Sequence, residues 1–316
     1  MLKVEKIFGH KEQKVILNKK FNSEFSDTWM LFGERGLGKF NFIKNFVIED
    51  LAKKIFCTKK DIFNLTTNEL KTLNKKLVSS YFHLNEGEKV SIDQLRKLFN
   101  QLQLTNSSDK IPKYIIIDNF DTININSKNA LLKTLEEPPR MVFIFLVCHN
   151  IYNVPKTVTS RCKKIEFRPL SNKDFEDFLK YNTFDNENIK KQNIDDYVNN
   201  KPGLLKLLQE YDFEKNISLI EKIANNREVN YLHIQKLIDN FSNNLDLLIL
   251  LIKYFLYQKA KKTFLQRLND NKDIQPILSF FDYIKPRLNQ NLNINENQYI
   301  LSIFANYFNN LKQSNE

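Results

Sequence analysis

The distribution of apolar residues divides the chain into two parts. In the first part, continuous apolar runs of strand length occur at 28–32, 114–118 and 141–148, a pattern typical of strands buried on both faces of a parallel sheet. A shorter run at 163–167 predicts a further strand, and apolar residues at helical spacing begin at Phe40. Residues 1 to about 165 are therefore predicted to form an α/β domain.

Two further helices are predicted between these strands. The segment 91–99 begins with a serine and a glutamine at capping-box spacing. The segment 127–137 begins with Ser127 and is stopped by the proline pair at 138 and 139. Both helices are expected to cross over the sheet.

After Pro169 the pattern becomes helical throughout. The segment 171–181 begins with a second capping pair, and Pro202 and Gly203 are predicted to form a turn. Five helical patterns follow, separated by polar joints, at 217–224, 231–241, 245–268, 276–285 and 298–308. We therefore predict an α/β parallel-sheet domain over 1–168, a small helical lid over 169–213 and an all-α domain over 214–316.

Composition limits the function classes. Of the 316 residues, 42% are hydrophobic and 27% are charged, which is typical of an ordered globular protein. The net charge of +11 favours an anionic partner such as nucleic acid, although the excess of lysine and asparagine also fits a nucleotide bias in the gene. The three cysteines form neither a disulfide framework nor a zinc-binding pair, so we expect a reducing cytosol. The most apolar segment, 247–257, is too short to span a membrane and contains a lysine.

A glycine-rich stretch follows the first strand. Gly33, Gly38 and Lys39 satisfy the spacing of a phosphate-binding loop, and Gly36 lies between them. Such a loop directs backbone N–H groups and a helix N-terminus at phosphate oxygens, and its lysine reaches the outer phosphates. The next residue should carry a hydroxyl that binds magnesium, but here it is Phe40.

The second half of such a site is an acidic residue at the end of a neighbouring strand. Asp118 occupies that position. The following residue is usually a glutamate that polarises the attacking water, but here it is Asn119, which cannot accept the proton. Asp121 can compensate in part, although it also fits a turn or cap. The loss of both the hydroxyl and the carboxylate argues against hydrolysis of ATP in this site, and no metal is predicted there.

Arg161 is the remaining candidate for chemistry. It lies between the predicted strands at 141–148 and 163–167, in the sequence Ser160-Arg161-Cys162. An arginine at an exposed, rigid edge can reach the γ-phosphate held by a neighbouring subunit and stabilise its transition state. A surface ion pair is the alternative for any single arginine.

The region 114–171 resembles the clamp-loader branch of the AAA+ ATPases. In that family a strand ending in aspartate, the sequence NALLKTLEEPP and the sequence SRC occur in this order and at this spacing, as they do here. Segments 9–13 and 91–98 extend the resemblance to about residues 5–212. The resemblance implies an AAA+ P-loop domain followed by a lid and a helical collar.

Within the family the chain most resembles the delta-prime subunits of the bacterial DNA polymerase III clamp loader. This resemblance implies a non-motor, stator-like subunit that has no independent ATPase activity and uses Arg161 as an arginine finger in trans. Its implied partners are motor and delta-type subunits in a hetero-pentamer, a sliding clamp and primed DNA, in the cytoplasm. ATP or ADP would be bound without hydrolysis, or not at all.

The chain departs from the family at several positions. Many delta-prime proteins bind zinc through four cysteines after the phosphate loop, whereas only Cys57 lies in that region here, so no zinc is expected. Leu204 stands where active members have a nucleotide-reading arginine, with Lys206 nearby. The polar sensor after the strand at 141–148 is either His149 or Asn150. Two alternatives stay open: a motor subunit that hydrolyses ATP in its own site, and a stand-alone DNA-binding protein with a vestigial loop.

Overall fold

The chain divides into two compact units, Met1–Phe184 with Asn200–Leu204, and Asp185–Asn199 with Leu205–Glu316. The computed structural model describes residues 5–21, 26–56, 66–84, 94–95, 97–98, 111–182, 198–226, 230–242, 244–270, 272–284 and 295–311. Most of the predicted helix at 91–99 therefore lies outside the described residues. So does Cys57, the cysteine at which no zinc site is expected.

The first unit is built on a five-stranded sheet. Its strand order is β2-β3-β4-β1-β5, and every neighbouring pair is parallel. The prediction of a parallel α/β sheet is confirmed. The strands are β1 Asp27–Phe32, β2 Tyr81–Leu84, β3 Lys113–Ile117, β4 Val142–Cys148 and β5 Lys163–Glu166.

The sheet is buried on both faces, as the continuous apolar runs predict. Because successive side chains of a strand point to opposite faces, Trp29 and Leu31 of β1 pack in one core cluster while Met30 packs in the other. All seven residues of β4, which lies in the centre of the sheet, are buried. The helices that pack on the sheet are α1 Lys11–Lys20, α2 Lys39–Phe56, α3 Thr67–Ser80, α4 Ile125–Glu136 and the short α5 Lys156–Thr159, and α6 Asn172–Tyr181 follows β5 in the chain.

The start of α4 differs from the prediction. Its N-cap is Asn124, whose side-chain oxygen accepts the N–H of Ser127 at 2.7 Å, so the predicted first residue is already the third residue of the helix. The predicted cap of α6 is present, since the Ser171 hydroxyl accepts the N–H of Asp174 at 3.1 Å.

The predicted turn at Pro202 and Gly203 is wrong. These residues open helix α7, Pro202–Glu210, which begins in the first unit and continues in the second. A proline fits the first turn of a helix because the N–H groups of that turn have no partner within the helix, so no hydrogen bond is lost. The chain turns just before, where Asn199 and Asn200 have φ of 44° and 56°.

The described part of the second unit is helical. All five predicted helices of this region are confirmed, as α8 Phe213–Asn225, α9 Tyr231–Asn240, α10 Leu245–Asn269, α11 Gln275–Ile284 and α12 Glu296–Leu311. Asp212, Asn230 and Asn244 cap the first three of them, which explains the polar joints in the sequence. The boundaries at 168 and 213 stay predictions. Among the described helices, none has the length and apolarity needed to cross a bilayer.

Candidate functional site

Three residues of the candidate site directly follow strands at the same edge of the sheet. Gly33 follows β1, Asp118 follows β3 and His149 follows β4. The carboxyl ends of parallel strands meet at one edge, which is where ligands bind in open α/β sheets. Because β4 lies between β3 and β1, it places His149 between the acidic strand end and the glycine loop.

The glycines of the loop are required by its backbone. Gly33 has φ of 144°, and a Cβ on it would lie 2.2 Å from the carbonyl oxygen of Phe167. Gly36 has φ of 86°, and its Cβ would lie 2.8 Å from the backbone nitrogen of Leu204. The N–H of Gly203 donates to the carbonyl of Gly36 at 2.8 Å. The first turn of α7 is thus held against the loop, with Leu204 packed where the family arginine was expected.

Lys39 is turned inward toward its own loop. Its Nζ donates to the carbonyl oxygens of Gly33 at 2.6 Å and Glu34 at 2.7 Å, and lies 3.0 Å from Nδ1 of His149. An ammonium group has three N–H donors, so these three contacts use all of them. The residue is 3% exposed, and burial lowers the pKa of Lys39 to about 8 against the opposing effect of nearby Asp118 and Asp121.

His149 faces the loop, whereas Asn150 does not. Burial and the positive charges of Lys39 and Arg35 lower the pKa of His149 to about 3. The imidazole is therefore neutral, and its Nδ1 accepts from the ammonium of Lys39. The side chain of Asn150 accepts the N–H of Tyr152 at 3.0 Å instead. Of the two sensor candidates, only His149 is brought to the phosphate loop.

Phe40 fills the position of the expected hydroxyl with an aromatic ring. The ring stacks on His83 of β2, with 4.3 Å between ring centroids and an interplanar angle of 27°. Phe40 also packs against the core cluster of that face of the sheet. Tyr81 lies on the same strand, and burial together with nearby Asp118 raises the pKa of its hydroxyl to about 12. Phe40 therefore lies against an aromatic side chain where an oxygen ligand for magnesium was expected.

The two acidic candidates have different surroundings. Asp118 is 8% exposed, and its Oδ1 accepts the N–H of Asn119, whose φ is 47°. The two carboxylate oxygens of Asp121 accept the N–H groups of His149 and Asn150, each at 3.0 Å. Asp121 therefore acts as a turn acceptor that fixes the end of β4.

Lys128 connects the turn that follows β3 to the turn that follows β4. It is 4% exposed and donates to the carbonyl oxygens of Asp121 at 2.7 Å and Asn153 at 2.9 Å. Burial lowers its pKa. No sequence pattern predicts this contact, because Lys128 looks like any exposed lysine on a helix.

His10 was also missed as part of the site. Its Nε2 lies 2.8 Å from the carbonyl oxygen of Leu37, in the phosphate loop, and its ring packs edge-on against Phe167 at 4.8 Å. Burial lowers its pKa.

The arginine candidate lies on a separate part of the first unit. Arg161 follows α5 and is bonded to Glu136 and to the carbonyl of Thr157. The hydroxyl of Ser160 donates to Thr157 as well, at 3.3 Å, and the thiol of Cys162 contacts the carbonyl of Val158 at 3.3 Å. Burial raises the pKa of Cys162 to about 12, so this cysteine is a packing residue and not a reactive thiolate.

A family model described as "DNA polymerase III, delta subunit" matches residues 9–171, just over half of the chain. The chain belongs to this family. The prediction of a clamp-loader-type DNA polymerase III subunit of the AAA+ class is thereby confirmed. The matched region contains the phosphate loop, the Asp118 turn and the Ser160-Arg161-Cys162 sequence.

Individual relatives carry several subunit names. The DNA polymerase III subunit gamma of Buchnera aphidicola subsp. Schizaphis graminum is 30% identical over 62% of this chain and 54% of its own length. The tau subunit of Bacillus subtilis is 27% identical over 50% of this chain and 27% of its own length. Replication factor C subunit 2 of Schizosaccharomyces pombe is 27% identical over 46% of this chain. The delta-family chain thus covers about half or less of the length of these relatives.

A solved structure matches nearly the whole chain at low similarity. The crystal structure of a DNA polymerase III gamma subunit-related protein from Thermotoga maritima covers 95% of this chain and 98% of its own, with 16% identity and a TM-score of 0.45. This delta-family chain and that protein are too divergent for a residue-by-residue comparison.

Proposed function

We propose that the chain is a non-motor, delta-prime-like subunit of a DNA polymerase III clamp-loader complex. The observation that carries this proposal is the ring of Phe40, which stacks on His83 where a hydrolytic site needs a magnesium-binding hydroxyl. In this role the chain does not hydrolyse ATP in its own loop. It assembles with motor and delta-type subunits that place a sliding clamp on primed DNA.

The residues of the loop do not fit magnesium–ATP. A phenylalanine offers no oxygen ligand to magnesium, and Asn119 offers no base to the attacking water. The ammonium of Lys39 is bonded to its own loop and to His149, so a phosphate would have to displace these contacts. Among the described residues, no three His, Cys, Asp or Glu side chains are grouped to hold a metal ion. No step of ATP hydrolysis is therefore assigned to this loop.

Arg161 supplies the chain's contribution to chemistry in this proposal. Its side chain lies at the surface of the first unit, about one-third exposed, so a neighbouring subunit can approach it. A guanidinium that contacts a γ-phosphate stabilises the charge that develops as the phosphoryl group is transferred. In the proposed complex, Arg161 completes the ATP site of the adjacent motor subunit.

A motor subunit is the second candidate, because several relatives are named gamma. Those names describe the relatives and extend over about half of this chain. The residues that hydrolysis requires differ here at two positions, Phe40 and Asn119. The two candidates predict opposite results for the isolated chain. A motor turns over ATP in a Lys39-dependent manner, whereas the non-motor subunit shows no ATPase activity above background.

The decisive experiment reconstitutes the complex and replaces Arg161 by alanine. A trans arginine contributes roughly 10³-fold to turnover at the site it serves. Arg161→Ala should therefore leave assembly intact and remove that site's share of the DNA-stimulated ATPase rate. Arg168→Ala is the matched control, since Arg168 is a more exposed arginine of the same unit, bonded to Glu166 at 2.9 Å. An Arg161→Ala complex as active as the Arg168→Ala complex would reject the trans role.

A further inference from the structure

The guanidinium of Arg161 is held by two acceptors of its own chain. Its Nε donates to Oε1 of Glu136 at 2.7 Å, its Nη2 donates to the same oxygen, and its Nη1 donates to the carbonyl of Thr157 at 2.5 Å. A guanidinium carries five N–H groups in one rigid plane. Among the described residues these bonds use three of them, and one N–H remains on each of Nη1 and Nη2. Two such N–H groups can donate a bidentate pair of hydrogen bonds to one phosphate.

The two acceptors belong to different elements. Glu136 is the last residue of α4, which ends before the proline pair at 138 and 139. Thr157 lies in α5, four residues before Arg161. The guanidinium is therefore fixed between two helix ends, and its orientation does not depend on a single flexible contact.

The stability of α4 does not explain a glutamate at this position. The C-terminal end of a helix carries partial negative charge, so an acidic side chain is unfavourable there. The ion pair is also solvent-exposed, with 33% of the Arg161 side chain and 47% of the Glu136 side chain accessible. Exposed pairs of this kind contribute little to folding. The contact with Arg161 is what Glu136 provides.

We propose that Glu136 is a positioning residue for Arg161. Its carboxylate holds one side of the guanidinium, so that the remaining N–H on Nη1 and on Nη2 are presented together to the γ-phosphate in the neighbouring subunit. This inference rests on the proposed trans role of Arg161. It goes further by assigning a function to the glutamate and by predicting that the orientation of the arginine, as well as its charge, limits turnover.

The test measures kcat and KM for ATP in the DNA-stimulated reaction of the reconstituted complex. The quantity of interest is the Arg161-dependent part of kcat, which is the wild-type value minus the Arg161→Ala value. Glu136→Ala should lower it about fivefold and change KM by less than about twofold, because orientation acts in the transition state. Glu136→Gln keeps an oxygen acceptor and should retain at least about half of it. Glu137→Ala, at the adjacent exposed position, should behave as wild type.

The double variant distinguishes a positioning role of Glu136 from a purely structural one. In the Arg161→Ala background, Glu136→Ala should cause no further loss, since it acts only through the arginine. A further loss there, a wild-type rate for Glu136→Ala alone, or a rise in rate would each overturn the inference. An unchanged rate for Arg161→Ala would instead refute the proposed function, and the inference with it. Size-exclusion chromatography of each complex checks that the variants assemble.

Discussion

Replacement of Gly33 by alanine tests whether the phosphate loop is held by the strand beside it. A Cβ at this position would lie 2.2 Å from the carbonyl oxygen of Phe167 and 3.1 Å from its carbonyl carbon. A carbon and an oxygen approach to about 3.3 Å in close contacts, so roughly 1 Å of backbone movement is needed. That movement is opposed by the hydrogen bond between the N–H of Phe167 and the carbonyl of Phe32, at 2.8 Å.

The magnitude follows from two contributions. Only glycine adopts a φ of 144° without strain, and this backbone conformation costs an alanine about 1–3 kcal/mol. The forced contact with Phe167 adds about 1–3 kcal/mol, as overpacking does in a core. Gly33→Ala should therefore lower the free energy of unfolding by about 4 kcal/mol. Gly38 is the matched control: its φ is 82°, but nothing lies within 4 Å of the added Cβ, so only the conformational cost of about 1–2 kcal/mol applies.

The assay is urea unfolding followed by tryptophan fluorescence. Trp29 is the single tryptophan of the chain and is fully buried in β1, immediately before the loop, so the signal reports the α/β unit alone. The two variants should differ by about 1–3 kcal/mol, which is the contribution of the contact. Equal losses for Gly33→Ala and Gly38→Ala would refute the reasoning, since they would show that φ alone determines the cost.

Two further predictions concern α4 and the pH dependence of stability. Asn124→Ala should lower the free energy of unfolding by about 1 kcal/mol through loss of the N-cap, whereas the exposed Asn126→Ala should change it little; the same urea assay checks both. The lowered pKa of His149, about 3 against 6.5, means that the unfolded chain binds more protons below pH 6.5, so stability falls as the pH falls. Between pH 6.5 and 5 this loss is about 1.5 kcal/mol. His149→Gln should remove it, while His10, whose pKa is also lowered, remains in both proteins. An equally steep acid loss in His149→Gln would contradict the assignment of a neutral His149.

The sequence predicts those parts of the fold in which one pattern dominates. The run at 141–148 is apolar at every position and is short for a helix, which favours a strand covered on both faces, so β4 was predicted within one residue. Four of the five helices of the second unit are amphipathic, and α10 was predicted instead from its long apolar run; all five are bounded by polar joints. In contrast, β2 has only four residues, all partly exposed, and α1 has mostly polar residues, so neither has a clear period.

The sequence predicted which residues form the site, but it did not predict which of them contact one another. Spacing identified Lys39 as a phosphate-loop lysine, but its bonds to Glu34 and His149 depend on the folded backbone and on a residue 110 positions away. The Arg161–Glu136 pair likewise joins residues 25 positions apart. The cap of α4 was misplaced because Asn124 and Ser127 are both good caps, and the choice between them is made by where α4 packs.

The contacts of Asp121 and Lys128 have a consequence for how the sheet edge moves. The carboxylate of Asp121 holds the backbone after β4, while the ammonium of Lys128 holds the carbonyls of both Asp121 and Asn153. The turn after β3 cannot be displaced without breaking bonds to the turn after β4. The two turns should open as one cooperative unit, so that the amide protons of His149 and Asn150 exchange with solvent in the same opening event and have the same protection factor.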